Sequence, residues 1–322
     1  MQNIIAWINE ALASKDIVTG MNYYRVKAKE IKATDGRLTA AYPWPYDGEF
    51  LVPGVEFEKI LRRMPTSPTI TIDEQSVKLR CGKLSGTIQT LPLTEWDYPG
   101  VDDIKWLPLP SGLMQVLKTL RPFVSDNASQ SWALCIALEA GWGYATNNIA
   151  LAGAACPSVG AIKALLPVWA VDFILGRTEG LTQWAWSDSF VAFRWGNGAW
   201  MRSQLVVGQF PEKATSLVRD AVNEKTSQKI TDEFRTAFRA CAELAEDTVA
   251  LYVDRIVSKF GKAEFDVGAI CEVPPNSEFS LWGAKFLLPA LEAADSWSPG
   301  VWPKPAPFKG PIVSGYVVGR KA

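Results

Sequence analysis

Three stretches of the chain, residues 22–43, 131–157 and 248–274, follow one pattern. Each has strand-like runs and a polar or Gly-marked turn, and each closes on a proline, at Pro43, Pro157 and Pro274. The spacing is roughly 110 residues, too long for a solenoid repeat and about one small domain each. This limits the fold to three like modules, assigned here to residues 1–103, 104–218 and 219–322. It also points to a surface made by repetition rather than to a single catalytic pocket.

Each module reads helix, strands, helix, strands. In module one the spacing predicts a helix over 5–14, with Ile5, Ile8 and Leu12 on one side. Asp35-Gly36 marks a turn between strands. A second helix over 55–64 places Phe57, Ile60, Leu61 and Met64 at i, i+3, i+4 and i+7, and Pro65 stops it. Alternation of Ile70, Ile72, Val77, Leu79 and Ile88 predicts short antiparallel strands over 69–91. Module two repeats this order. Leu113, Val116, Leu117 and Leu120 stripe a helix ended by Pro122, and Pro167 opens the next helix, over 168–175. The stretch 182–206 echoes 69–91, with Asn197-Gly198 as a hairpin turn. Module three opens on Phe234, Ala237, Phe238, Cys241 and Leu244 at helical spacing, with Asp232 as N-cap. A helix over 281–293 carries Pro289, which predicts a kink or a late start. A last strand covers 311–318. Residues 100–103 and 219–228 read as polar connections between modules.

Composition excludes several chemistries. The 322 residues hold 33 Lys and Arg against 34 Asp and Glu, a formal net charge of −1, which argues against binding of nucleic acid by bulk charge. It does not argue against charge placed on a chosen surface. Histidine is absent, which removes Ser-His-Asp and Cys-His catalysis and every His-ligated metal site. Cys81, Cys135, Cys156, Cys241 and Cys271 form no C-x-x-C pair, so they read as reduced, mostly buried thiols of a cytosolic protein, and no metal site is expected. The start lacks a secretory signal, and no apolar run is long enough to span a bilayer. The chain is expected to be soluble and cytoplasmic, with no membrane partner.

The predicted helices carry cations at corresponding places. Lys59, Arg62 and Arg63 lie opposite the apolar stripe of the second helix. Lys118 and Arg121 share the exposed face of the third. Arg235 and Arg239 stack one turn apart on the helix that opens module three. Each alone reads as a solvated helix face. Recurrence in three modules reads as one surface that attracts phosphates without reading bases. The helix over 168–175 departs from this, since its only charge is Asp172.

The linker Ser85-Gly-Thr-Ile-Gln-Thr-Leu-Pro-Leu-Thr-Glu-Trp-Asp-Tyr-Pro-Gly100 resembles the sequence that closes a domain of the bacterial-type sliding clamp, the beta subunit of the replicative DNA polymerase. Module two ends on a version of the same signature, Gln204-Leu-Val-Val-Gly-Gln-Phe-Pro211. Residues 33–38, Ala-Thr-Asp-Gly-Arg-Leu, resemble that family's A-T-D-G-x-x-L turn. In module two, where the family places this turn, Ala145-Thr-Asn-Asn-Ile-Ala-Leu151 stands in register. The order of elements resembles the family along nearly the whole chain.

The resemblance implies an α+β DNA clamp fold of three repeated domains, each with two inner helices and outer antiparallel sheets. It implies a head-to-tail homodimeric ring that encircles double-stranded DNA without sequence preference and tethers a DNA polymerase. The DNA-facing residues would be Lys59, Arg62, Arg63, Lys118, Arg121, Arg235 and Arg239. A partner-peptide cleft would take Thr146, Leu151, Pro211, Val317 and Val318. A clamp-loader ATPase would open the ring, since no Walker-type loop is present. No cofactor is implied. Asn147-Asn148 in place of Asp-Gly, and the carboxyl end Gly319-Arg-Lys-Ala322 in place of an apolar and basic tail, depart from the family. So divergent a chain fits a virus-encoded clamp.

Two other classes compete. A structural or virion-associated β-repeat protein explains the repeats and the missing active site, but does not require cations on matching helices. A hydrolase built on Glu56, Glu58, Asp73 and Glu74 conflicts with their charged helix and turn surroundings. Trp184, Trp186, Trp195 and Trp200 sit in one strand region, where alternation buries half of them. A packed core is therefore favoured over an aromatic platform for sugars or bases.

Overall fold

A computed structural model describes residues 1–322 except 16–19, 74, 92, 94–97, 246, 259–262, 267–277, 301 and 322. Glu74, Pro92, the Thr94 to Asp97 part of the first linker signature, Cys271, Pro274 and Ala322 therefore lie outside the described residues.

Module one contains α1 (Gln2–Ile8), β1 (Tyr23–Lys27), β2 (Glu30–Thr34), β3 (Leu38–Pro43), β4 (Phe50–Pro53) and α2 (Gly54–Arg62). It ends on β5 (Thr69–Asp73), β6 (Ser76–Cys81) and β7 (Leu84–Gln89). Module two runs β8 (Leu107–Pro108), α3 (Leu113–Leu120), β9 (Cys135–Glu139), β10 (Trp142–Thr146), β11 (Ala150–Ala155), β12 (Lys163–Pro167) and α4 (Val168–Leu175). It continues with β13 (Leu181–Trp186), β14 (Phe190–Trp195), β15 (Trp200–Gln204) and α5 (Glu212–Asn223). Module three has β16 (Gln228–Lys229), α6 (Asp232–Leu244), β17 (Thr248–Leu251), β18 (Arg255–Ser258), β19 (Glu264–Asp266), β20 (Ser280–Gly283) and α7 (Ala284–Ala293). It closes on β21 (Ser296–Trp297), β22 (Pro305–Lys309) and β23 (Val313–Val318).

The described residues gather into two compact units, 1–109 with 172–205, and 110–171 with 206–322. These cuts differ from the sequence modules because the sheets join halves of consecutive modules. In the first unit, strand order β4-β1-β2-β3-β15-β14-β13-β8 puts the early strands of module one beside the late strands of module two. In the second, β12-β9-β10-β11-β23-β22-β21-β16 does the same for modules two and three. The joints are antiparallel pairs of third strands, β3 with β15 and β11 with β23. Two smaller sheets remain. They are β5-β6-β7 in the first unit and β19-β18-β17-β20 in the second.

Apolar stripes hold the helices on these sheets. On α3, Leu113, Val116, Leu117 and Leu120 are each at most 3% exposed. Each such side chain contributes about 1.5–3 kcal/mol of burial before entropy is counted. Two glycines of the second unit fix which face each helix covers. A Cβ at Gly143 would lie 2.7 Å from Val116 of α3, and one at Gly153 would lie 2.4 Å from Val218 of α5. Gly143 pairs with Ala154 and Gly153 with Tyr144, so α3 and α5 lie on opposite faces of one sheet. In the first unit, Arg177 fastens α1. Its guanidinium donates to the carbonyls of Trp7 (3.0 Å) and Phe173 (3.1 Å) and lies 3.9 Å from the Phe173 ring centroid.

Four local expectations shift. The first helix begins at Gln2 and ends at Ile8, where a 3-10 turn over Asn9–Ala11 follows, so Leu12 lies outside it. The N-cap of α6 is Thr231, whose Oγ1 accepts from the Phe234 amide, and Asp232 is the first helical residue. Residues 281–283 belong to β20, and α7 starts late, at Ala284, with Pro289 inside it. Of the polar connection expected over 219–228, the first half, 219–223, is instead the end of a helix, α5. Its sheet-facing positions are Ala214, Val218 and Ala221, a stripe too weakly apolar to stand out in sequence.

The repeat is sharpest at the β2–β3 and β10–β11 turns. Thr34 Oγ1 donates to Leu38 O and accepts from Gly36 N, and Asp35 Oδ1 accepts from the amides of Arg37 and Leu38. In the second copy Thr146 Oγ1 donates to Ala150 O and accepts from Asn148 N, and Asn147 Oδ1 accepts from Ile149 and Ala150. Gly36 has φ +86° and Asn148 φ +70°. Asn147 thus supplies the acceptor that Asp35 supplies, and Asn148 tolerates the left-handed backbone. Replacing Asn148 with Gly should leave stability within about 0.5 kcal/mol, whereas Asn148→Val should cost about 1–3 kcal/mol in urea denaturation. Equal stability of the two variants would remove backbone conformation as the reason for Asn148.

Candidate nucleic-acid interface and partner cleft

The seven cations named from the sequence have different surroundings. Lys59, Arg62 and Arg63 are exposed on α2 and its C-cap. Arg62 Nη2 donates to Glu58 Oε1 at 2.6 Å, one turn away. Lys118 is exposed on α3, and Arg121, just past its end, pairs with Asp126 at 3.2 Å. Lys59, Arg63 and Lys118 have no ion pair among the described residues. Arg235 is not the solvated face residue its spacing suggests. Its side chain is 19% exposed, and it donates to Leu291 O (2.9 Å), Ala294 O (2.6 Å) and Asp232 Oδ1 (2.8 Å). The end of α7 leaves carbonyls without helical partners, and Arg235 satisfies two of them. Arg239 donates Nε and Nη2 to one oxygen of Glu292, at 3.1 and 2.6 Å.

In the second unit α3 and α7 border a cavity of about 510 Å³, lined by Leu288, Pro289, Ala293 and Ile312 with Lys118 and Glu292 among its walls.

The cleft residues divide by face. Leu151 pairs with Thr146 and with Tyr316, so these three share the α5 face of the sheet, and Val318, two residues past Tyr316, follows them. Val317 pairs with Ala150, is fully buried, and belongs to the opposite face. The structure therefore brings Thr146, Leu151 and Val318 together and excludes Val317. Pro211 is the N-cap of α5, next to buried Phe210.

Beneath these residues lies an aromatic cluster that sequence reasoning missed. Trp142 stacks on Tyr144 at 6.1 Å and Tyr144 on Phe210 at 5.9 Å, while Trp132 meets Phe210 edge-on at 5.8 Å. Cys135, Ala137, Leu165 and Val218 complete the core, with Leu151 and Ala214 packed against it. Alternate positions of β10 (Trp142, Tyr144) carried the signal. Their partner Phe210 comes from a distant segment. Burial raises the Tyr144 hydroxyl pKa, opposed by the hydrogen bond from Arg219 Nε at 3.2 Å. Burial also raises the Tyr316 pKa, reinforced by its hydrogen bond to Glu224. Arg320, near the carboxyl end, binds elsewhere. The Arg320 amide donates to Leu281 O (2.7 Å), and its guanidinium donates to Thr248 Oγ1 (2.6 Å) and Asp247 Oδ2 (2.5 Å).

Other candidates recede. Trp184, Trp195 and Trp200 are each 3% exposed and only Trp186 is open, so this group packs a core. Glu58 serves Arg62, while Glu56 and Asp73 are exposed. Among the described residues no group of Cys, Asp and Glu could hold a metal ion, and no helix is long and apolar enough to cross a membrane.

No protein-family model matches the chain, and no curated protein matches its sequence. Solved structures do match it in fold. Repeated modules joined through shared antiparallel sheets, with helices packed on them, define the DNA clamp fold. Within that fold the chain resembles bacterial DNA polymerase III beta sliding clamps. A DnaN sliding clamp from Bartonella birtlesii superposes with TM-score 0.80 at 16% identity, over 100% of this chain and 97% of that one. The sliding clamp from Bacillus subtilis gives 0.78 at 15%, and the beta sliding clamp of C. crescentus 0.79 at 14%, each with the same coverage.

One buried thiol of the aromatic core links stability to alkaline pH. Burial pushes the Cys135 thiol up to about 12. In the unfolded chain a thiol ionises near about 8.5. The stability tied to its neutral form is complete below that pH and is lost as pH rises toward 12. Urea unfolding at rising pH should show Cys135→Ala less stable at neutrality but with a shallower alkaline decline. Parallel declines would mean that this thiol makes no such link.

Proposed function

We propose that the chain is a DNA sliding clamp, a non-enzymatic processivity factor. Two copies close head to tail around duplex DNA and tether a DNA polymerase, and a separate loader ATPase opens the ring. The site of action is the cytoplasm of a bacterial or virus-infected cell.

One observation carries the reading, the two leftover sheets. Third strands join first-half strands of one module to second-half strands of the next, in β3–β15 and β11–β23. The same rule assigns β19 a partner from a module that follows module three, and β7 a partner from one that precedes module one. A second copy supplies both. Pairing β7 with β19 of another copy, twice, completes six modules and covers the open edges. Leu84 on β7 is 52% exposed, an apolar side chain on a strand that this pairing would cover.

The remaining features agree with encirclement. Retention by topology needs no tight contact, so exposed Lys59, Arg63 and Lys118 suffice to attract phosphates at near-zero net charge. Arg62 and Arg121 can add to them, because exposed ion pairs are worth only about 0–1 kcal/mol. A beta clamp from Helicobacter pylori, with TM-score 0.77 at 14% identity, was solved bound to a DNA ligase peptide. Here Thr146, Leu151, Pro211 and Val318, over the aromatic core, are the proposed seat of such a peptide.

The solution mass should be twice 35.4 kDa. Leu84→Asp should halve it with an unchanged far-UV spectrum. A strict monomer at high concentration would defeat the ring. Replacing Lys59, Arg63 and Lys118 with Ala should keep the dimer and weaken retention on nicked circular DNA. It should also flatten the salt dependence, by up to about 0.9 in log–log slope for each phosphate no longer neutralised. Unaltered retention would remove these residues from the interface.

A further inference from the structure

Arg235 and Arg239 sit one turn apart on α6, and both reach toward α7, yet their bonds differ in kind. Arg235 is tied to backbone carbonyls at the end of α7, which need donors in any state of the protein. Among the described residues Arg239 is tied only to the Glu292 carboxylate, and the two side chains are 48% and 39% exposed. No backbone group depends on that pair. It is open to solvent and to competing anions. Both N–H donors converge on one oxygen, Oε1. A phosphate oxygen can accept that same fork, since guanidinium geometry suits carboxylate and phosphate alike.

Glu292 also borders the space between α3 and α7. It lines the same cavity as Lys118, which has no ion pair of its own among the described residues. Lys118, Glu292 and Arg239 together carry one net positive charge. With Glu292 turned away, the Arg239 guanidinium on α6 is left to a phosphate, while Lys118 stands exposed on α3.

We infer that Glu292 is a phosphate surrogate that holds Arg239 in reserve, so that DNA engages Arg239 only by displacing this carboxylate. This rests on the clamp reading above and names a residue that tunes how strongly that interface grips DNA. Glu292 lowers the resting attraction and adds an exchange step to each phosphate contact at Arg239. A ring that must slide gains from such weak, replaceable contacts.

The experiment is a salt titration of the full-length dimer on nicked circular duplex DNA. Glu292→Gln keeps the size of the side chain and removes its charge. It should raise affinity several-fold at low salt and steepen the log–log salt slope by about 0.9, the increment for one more neutralised phosphate. Arg239→Ala alone should lower affinity, because it removes the cation and leaves the Glu292 carboxylate unpaired. In the Arg239→Ala background, Glu292→Gln should leave the salt slope unsteepened, since the fork that takes the phosphate is gone. Glu292→Ser is the second variant, checked for dimer mass and thermal midpoint. It should repeat the steepening even where Gln keeps a neutral hydrogen bond to Arg239. An unchanged slope in both variants overturns the inference, and so does a steepening that persists without Arg239. If wild type and variants all remain dimers yet none is retained on DNA, the clamp reading itself falls, and the inference with it.

Discussion

Backbone hydrogen bonding between third strands of different modules is the constraint on which the rest depends. β3 pairs with β15 and β11 with β23 over four and five residue pairs. Each pairing covers two sheet edges at once and makes an eight-stranded sheet from two half-modules. Because of it, no module is a closed body, and the compact units cut across the sequence repeats. The leftover sheets, ending on β7 and β19, follow from the same rule, and the case for a second copy is built on them.

Register then decides the chemistry of each face. Leu151 and Val317 come from adjacent, paired strands and both look apolar in sequence. A strand alternates its sides, so Val317 joins Ala150 in the helix-covered core while Leu151 joins the aromatic stack under α5. The tail shows the same dependence on context. Arg320 is held by Asp247, Thr248 and Leu281, which puts the divergent carboxyl end on the four-stranded sheet.

Charge placement was only half visible in the chain. Helical spacing put Arg235 and Arg239 on one side of α6, and they do share it. Their partners Leu291, Ala294 and Glu292 lie more than fifty residues away. Periodicity reports the face a residue occupies. It says nothing of the distant carbonyl or carboxylate waiting there.

What the sequence determined by itself was local: the apolar stripes of α2, α3 and α6, the Thr-Asp-Gly and Thr-Asn-Asn turns, the alternating strands, and the threefold repeat. These depend on neighbours within a few residues, so each could be read without any knowledge of the distant chain. It missed α5, whose Ala-rich stripe becomes apolar only against the sheet, and it placed the cap of α6 one residue late. Tertiary structure alone decided which half-modules share a sheet, which face each residue proposed for the cleft takes, and which cations remain without an ion pair among the described residues. Those choices rest on long-range backbone pairing and on partners far apart in the chain, and residue spacing carries no record of either.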